Sequence, residues 1–158
     1  MRNFNIIVDK KISTSNYSNN IMTECYIEYQ EKCFPDKQWT DFTEAVTTSW
    51  IILLLKYRCK CNVSFSMYFM DGPFRLDVYK NNKMELTINC INFRGTEEIS
   101  ELSFTCKYID MISALYDATK SFNFILKSEG LHIGRFKPTY DQTFLTMKNI
   151  EEITNASS

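Results

Sequence analysis

The sequence predicts an α+β domain: an antiparallel sheet, built from a four-stranded meander plus N-terminal strands, with two helices packed on one face in the order ββαββββα. Three observations carry this expectation. Between residues 63 and 107, four runs in close succession alternate apolar with polar residues, the period-two mark of strands with one wet face. Two longer stretches repeat apolar residues every three or four positions, as one-faced helices do. One-faced helices and a one-faced sheet share a single economical packing, with both helices on the apolar side of the sheet.

The elements follow in chain order. "FNIIV", residues 4–8, places Phe4, Ile6 and Val8 on one face of a short strand. "STSNYSNN", residues 13–20, is polar and turn-rich and reads as a mobile loop. In "TECYIEYQ", Cys25, Ile27 and Tyr29 alternate with Glu24, Tyr26 and Glu28, so a second strand pairs with the first across that loop. The first helix is expected in "FPDKQWTDFTEAVTTSWIILLLKYR", with Asp36 or Thr40 as its N-cap. Its stripe is Trp39, Phe42, Val46, Trp50, Leu53, Leu54 and Tyr57, and Asp41 and Glu44 sit where the helix dipole favours acids.

Within the meander, Phe65, Met67 and Phe69 face inward from the first strand and Phe74, Leu76 and Val78 from the second. "FMDGPF", residues 69–74, joins these two: Gly72 accepts a positive φ, Pro73 starts the next strand, and Asp71 bonds its own turn. Met84, Leu86, Ile88 and Cys90, then Leu102, Phe104 and Cys106, continue the inner face. The second helix spans about 108–128, with Ile112, Leu115, Thr119, Phe122 and Leu126 inward and Gly130 as its stop. Residues 131–158 are ambiguous: "TFLTMKNIEEI" is compatible with a short helix, and a frayed tail is expected at about 152–158. Neither a linker nor an internal repeat is present, so residues 1–158 read as a single domain.

Composition narrows the function classes. A formal net charge of −1 and a pI near 5.9 argue against nucleic-acid binding, and the densest basic group is only Lys56, Arg58 and Lys60. The longest apolar run, "WIILLL", is far shorter than the ~20 residues a membrane helix needs. With no signal-peptide pattern, the expected location is cytoplasmic and the six cysteines are expected as thiols.

Candidate chemistry is sparse. The single histidine, His132, has no Cys, Asp or Glu at ligand spacing, and Cys59-Lys-Cys61 is closer than a zinc knuckle requires. No phosphate loop or nucleophile elbow occurs, so no catalytic residue, metal or cofactor is assigned. What remains is surface. The wet face of the meander carries Tyr68, Arg75, Asp77 and Tyr79, Tyr26 is expected to extend it, and Glu97, Glu98 and Glu101 offer acids to a basic partner.

"CFPDKQWTDF" leading to "SWIILLLK", then "FSMYFMDGPFRLDV" and "MELTINCI", resembles small bacterial immunity proteins of polymorphic-toxin and contact-dependent growth inhibition systems. The resemblance covers roughly residues 30–130 and rests on scaffold signatures. It implies a cytosolic inhibitor that binds a cognate toxin domain and occludes its active site or an adjacent exosite. It assigns no binding residues, since the matching Trp39, Phe42, Asp71, Gly72 and Pro73 belong to the scaffold. Many inhibitors of nuclease toxins are markedly acidic and this chain is not, which leaves the toxin's activity open. Two alternatives stand beside it: a small enzyme or metal-binding protein using His132 and cysteines, and a structural or adaptor subunit, monomeric or self-associated through edge strands.

Overall fold

The computed structural model describes residues 2–14 and 20–156. Strands β1 (Phe4–Thr14), β2 (Ile21–Tyr29), β3 (Lys32–Phe34) and β4 (Thr40–Asp41) form one antiparallel sheet, followed by α1 (Thr43–Lys56). Strands β5 (Val63–Tyr68), β6 (Phe74–Lys80), β7 (Glu85–Asn92) and β8 (Ile99–Lys107) form a second, in the order β5-β6-β7-β8. Then come α2 (Tyr108–Ser128), a 3₁₀ turn (Gly134–Phe136) and α3 (Lys137–Ala156). The class is α+β and the meander is present, as expected. The N-terminal strands, however, do not extend the meander but build a sheet of their own.

Local chemistry explains each departure. Where the first turns of the helix were expected, Thr40–Asp41 forms β4, which lies with β3, just before that stretch, along one edge of β2. That edge has backbone groups to satisfy, and Lys32–Phe34 and Thr40–Asp41 supply partners, with Cys25 N donating to Trp39 O at 2.8 Å. Neither Asp36 nor Thr40 therefore caps α1, which starts at Thr43 without a side-chain cap. The β2–β3 turn places Gln30 and Glu31 at φ 46° and 67°, the conformation of a two-residue type I′ hairpin. Strand β1 is also longer than expected: Ser13 and Thr14, assigned to the loop, pair with Met22 and Ile21. The remainder of that loop, residues 15–19, lies outside the described residues. Met84 departs from the inner face expected of it, since β7 begins only at Glu85 and Met84 sits in the preceding turn, 40% exposed.

Helix α2 has the expected limits and inner stripe. At its end Leu131 N donates to Leu126 O at 2.8 Å and Gly130 N to Lys127 O at 3.2 Å, with Gly130 at φ 71°, a Schellman stop. The full length of the third helix was not resolved from the sequence because its inward positions Thr143 and Thr146 are polar, leaving Ile150 as its one buried aliphatic residue. Both threonines are satisfied internally, donating to Thr139 O and Gln142 O. The tail expected to fray from about 152 continues this helix to Ala156; residues 157–158 lie outside the described residues.

One core joins these elements. Phe4, Ile27 and Phe34 of the first sheet meet Leu76, Ile88 and Phe104 of the second, together with Trp50 of α1 and Leu115 of α2. Phe104 contacts both Phe4 and Tyr29, each at 5.0 Å between ring centres, and so bridges the two sheets. A smaller cluster, Ile21, Phe122, Leu126 and Phe136, closes the far end of α2. No described helix is long and apolar enough to cross a membrane.

The turn "FMDGPF" is held from outside itself. Asp41, fully buried, accepts from Met70 N at 3.2 Å and from Asp71 N at 3.1 Å, besides Phe42 N at 2.7 Å and the Trp39 indole at 3.4 Å. Asp71 does bond its own turn, accepting from Gly72 N at 3.0 Å. Gly72 has φ 69°, and a Cβ there would come within 2.8 Å of the Phe74 ring and 3.0 Å of Trp39. Conformation and space both require glycine at this position.

Candidate functional site

Period-two alternation places Ser64, Ser66 and Tyr68 of β5 on the outer face of the second sheet, beside Arg75, Asp77 and Tyr79 of β6. The register Tyr68↔Arg75, Ser66↔Asp77 and Ser64↔Tyr79 sets them in three cross-strand pairs. Together with Asn89 and Glu98 they line an open groove of about 620 Å³.

Arg75 organises it. Its Nε donates to Asp77 Oδ1 at 2.8 Å and its Nη2 to Asp77 Oδ2 at 3.0 Å. The same guanidinium donates from Nη1 and Nη2 to the two oxygens of Glu98, at 2.9 and 2.8 Å. Two forked pairs on one guanidinium fix its plane, which lies 5.4 Å from the centre of the Phe93 ring. Phe93 in turn meets Tyr68 edge to face at 6.2 Å. Ser66 Oγ donates to Asp77 Oδ1 at 2.7 Å, and Tyr79 donates its hydroxyl to Asn62 Oδ1 at 3.1 Å. Tyr68 and Tyr79 remain 48% and 42% exposed, so the groove offers two large aromatic residues beside a rigid ionic centre.

Every shifted charge in the groove is locked in its ionised form. The hydrogen bonds from Arg75 hold Asp77 below its ordinary value against the opposing effect of burial, and Arg75 likewise lowers Glu98. Bonds to Asp77 and then to Glu98 keep Arg75 protonated more firmly than a free guanidinium. A general acid or base needs a value near working pH, the opposite tuning. Because the folded-state value of Asp77 is depressed, its contribution to stability is complete above the unfolded carboxylate range and is lost as pH falls through the folded value. Arg75→Gln is therefore expected to bring the acid limb of a stability–pH curve closer to that of the unfolded carboxylates. Parallel curves for the two proteins would show that the pair is screened by solvent.

Five of the eight residues expected at an interaction surface come together here: Tyr68, Arg75, Asp77, Tyr79 and Glu98 line one groove. Glu101, on β8, accepts from Asn92 at 2.8 Å and does not line the groove; Glu97 is exposed in the β7–β8 connection. Tyr26 is a correction. It is only 7% exposed and lies in the other sheet, between Ile7 of β1 and the edge strands β3 and β4. A side chain on a central strand is covered by both neighbours, whereas the single-sheet expectation left it at an open margin. Phe93 was missed, although a signal exists: the alternation continues past Cys90 as Ile91 and Phe93, two apolar residues on the polar face. Ile91 is the register partner of Arg75 and is buried.

The residues of the alternative chemistry lie elsewhere. His132 follows α2 with its ring 5.8 Å from Tyr140, and its buried Nδ1 has no hydrogen-bond partner. Cys59 and Cys61 are exposed after α1, and Cys33 is half-buried on β3. Among the described residues no three His, Cys, Asp or Glu side chains are grouped to hold a metal. Burial pushes the thiols of Cys25, Cys90 and Cys106 up to about 12, which removes them from thiolate chemistry near neutrality.

Comparison with protein-family models, with curated proteins and with solved structures gives no match for this chain.

Proposed function

We propose that this chain is a protein-binding inhibitor, an immunity protein that neutralises a cognate toxin domain by laying the outer face of the second sheet over its active site or an adjacent exosite. The observation that carries the reading is the groove itself: two exposed tyrosines around an arginine held rigid by two carboxylates. Tyrosine and arginine supply most hot spots at protein interfaces, and a guanidinium already immobilised has little entropy left to lose on binding. Asp77 and Glu98 outweigh Arg75 by one charge, so the face is suited to a basic surface on the toxin. The fixed ionisation of this centre favours recognition over acid–base catalysis.

The test pairs the protein with toxin domains encoded beside it, by co-purification and calorimetry. Wild type is expected to bind and to abolish the toxin's activity, through a buried surface on the order of 800 Å² per partner. Tyr68→Ala and Arg75→Ala should each weaken binding by roughly 30-fold or more, corresponding to a hot-spot loss of about 2 kcal/mol. Phe124→Ser, on the exposed side of α2, should bind as wild type. Normal affinity in both sheet variants removes this face from the proposal. Absence of binding to any adjacent toxin domain removes the inhibitor reading.

A further inference from the structure

A second groove, independent of the first, lies where the β6–β7 turn meets the start of α2 and the end of α3. It encloses about 470 Å³, within the usual range for small-molecule sites. Its floor is apolar: Met84, Ile109 and Ile153 line it beside the ring of Tyr108. Met84 and Ile109 are 40% and 41% exposed, so two of the large apolar side chains this protein leaves in water meet at one place.

The rim is basic. Arg58, Lys83 and Lys107 surround that floor, with Glu85 the one acid among the lining residues. Glu85 accepts from Asn81 Nδ2 at 2.7 Å, and neither Lys83 nor Lys107 makes an ion pair among the described residues. Lys83 and Lys107 against the single acid Glu85 leave a local excess of +1 on a chain whose formal net charge is −1.

The backbone presents this surface deliberately. Met84 has φ 60°, a left-handed conformation that costs an L-residue roughly 1–2 kcal/mol. The turn is pinned there: Asn81 Oδ1 accepts from Lys83 N and Glu85 N at 2.8 and 3.0 Å, and Met84 O accepts from Tyr108 N at 2.8 Å. Strain maintained by several bonds, with an apolar side chain turned to solvent as its result, points to a use for that side chain.

We infer that this groove binds a small amphipathic anion, a carboxylate with an alkyl or aromatic body. The body lies on Met84, Ile109 and Ile153, and the carboxylate faces Lys83 and Lys107. The inference does not depend on the inhibitor reading. Calorimetry with decanoate on the full chain tests it, with decanol as the uncharged probe. Decanoate is expected to bind, more weakly at high salt, and at least ten-fold more tightly than decanol. Lys83→Gln combined with Lys107→Gln should weaken decanoate ten-fold or more while leaving decanol unchanged, and Ile109→Ser should weaken both. These three side chains are exposed, so each variant is expected to keep the wild-type unfolding transition. No heat with decanoate at millimolar concentration overturns the inference, as does equal affinity for the two probes or for the charge variant.

Discussion

Replacing Asp41 by alanine is expected to lower the free energy of unfolding by about 2–4 kcal/mol, since it leaves several part-buried amides without their charged acceptor, at up to roughly 1–3 kcal/mol each. The carboxylate lies at the end of β4, yet it receives amides from Met70 and Asp71, 29 and 30 positions away in the chain. It ties the first sheet to the β5–β6 turn, and through Phe42 N it also sets the entrance to α1. Burial pushes its carboxyl above the ordinary aspartate value, and the amide of Asp71, first among its hydrogen-bond donors, pulls it back. Asp41→Asn keeps one acceptor but turns an NH₂ toward amides that also donate, so its loss should fall between wild type and alanine. Urea unfolding of the three proteins decides the matter. An alanine loss below about 1 kcal/mol would mean that water replaces the carboxylate and that the turn does not depend on it.

Trp50 should be comparably sensitive. Its side chain is fully buried in α1, its indole donates to Tyr68 O at 2.8 Å, and its ring meets Phe69 edge to face at 5.1 Å. Trp50→Ala is expected to cost about 3–5 kcal/mol, the usual loss for an aromatic core truncation. Trp50→Phe separates packing from hydrogen bonding: it retains an aromatic ring but strands the Tyr68 carbonyl, at roughly 1–3 kcal/mol. The Tyr68 side chain stands in the groove, so this milder variant also tests whether the core positions the site. Hydrogen exchange at residues 67–70 is expected to speed up more than the global loss of stability explains. Uniform acceleration across the sheet would instead make the indole bond purely a matter of core stability.

The two expectations meet at the hexapeptide "FMDGPF". From sequence its Asp-Gly-Pro core is a register device between two strands, and that reading agrees with the turn and with the inward Phe69 and Phe74. The turn is nevertheless not self-sufficient, because Asp41 and Trp50 hold its two sides from elements read as one helix. No local pattern records such bonds. A carboxylate in "WTDF" looks the same whether it caps a helix or crosses to a distant turn.

What was legible follows from periodicity. Helix α2 repeats a 3.6-residue stripe and ends on glycine, and the meander repeats every two residues, so both element limits and the shared outer face of Tyr68, Arg75, Asp77 and Tyr79 were determined locally. Helix α3 was legible only as a short helix over "TFLTMKNIEEI", and its full length escaped because threonines hydrogen-bonded within the helix occupy inward positions that a search for apolar periodicity passes over. Strands β3 and β4 escaped because they serve the backbone needs of β2, a demand that only the paired sheet creates.

By itself, then, the sequence determined the fold class, the meander and the polar face on which the candidate site lies. Tertiary structure alone decided that the strands divide into two sheets, which buries Tyr26 within the first. It also decided that Glu98 closes on Arg75 from another strand connection. Alternation is a property of neighbouring residues and survives in the unfolded chain, whereas a central strand's cover and a shared guanidinium exist only once distant segments are packed together.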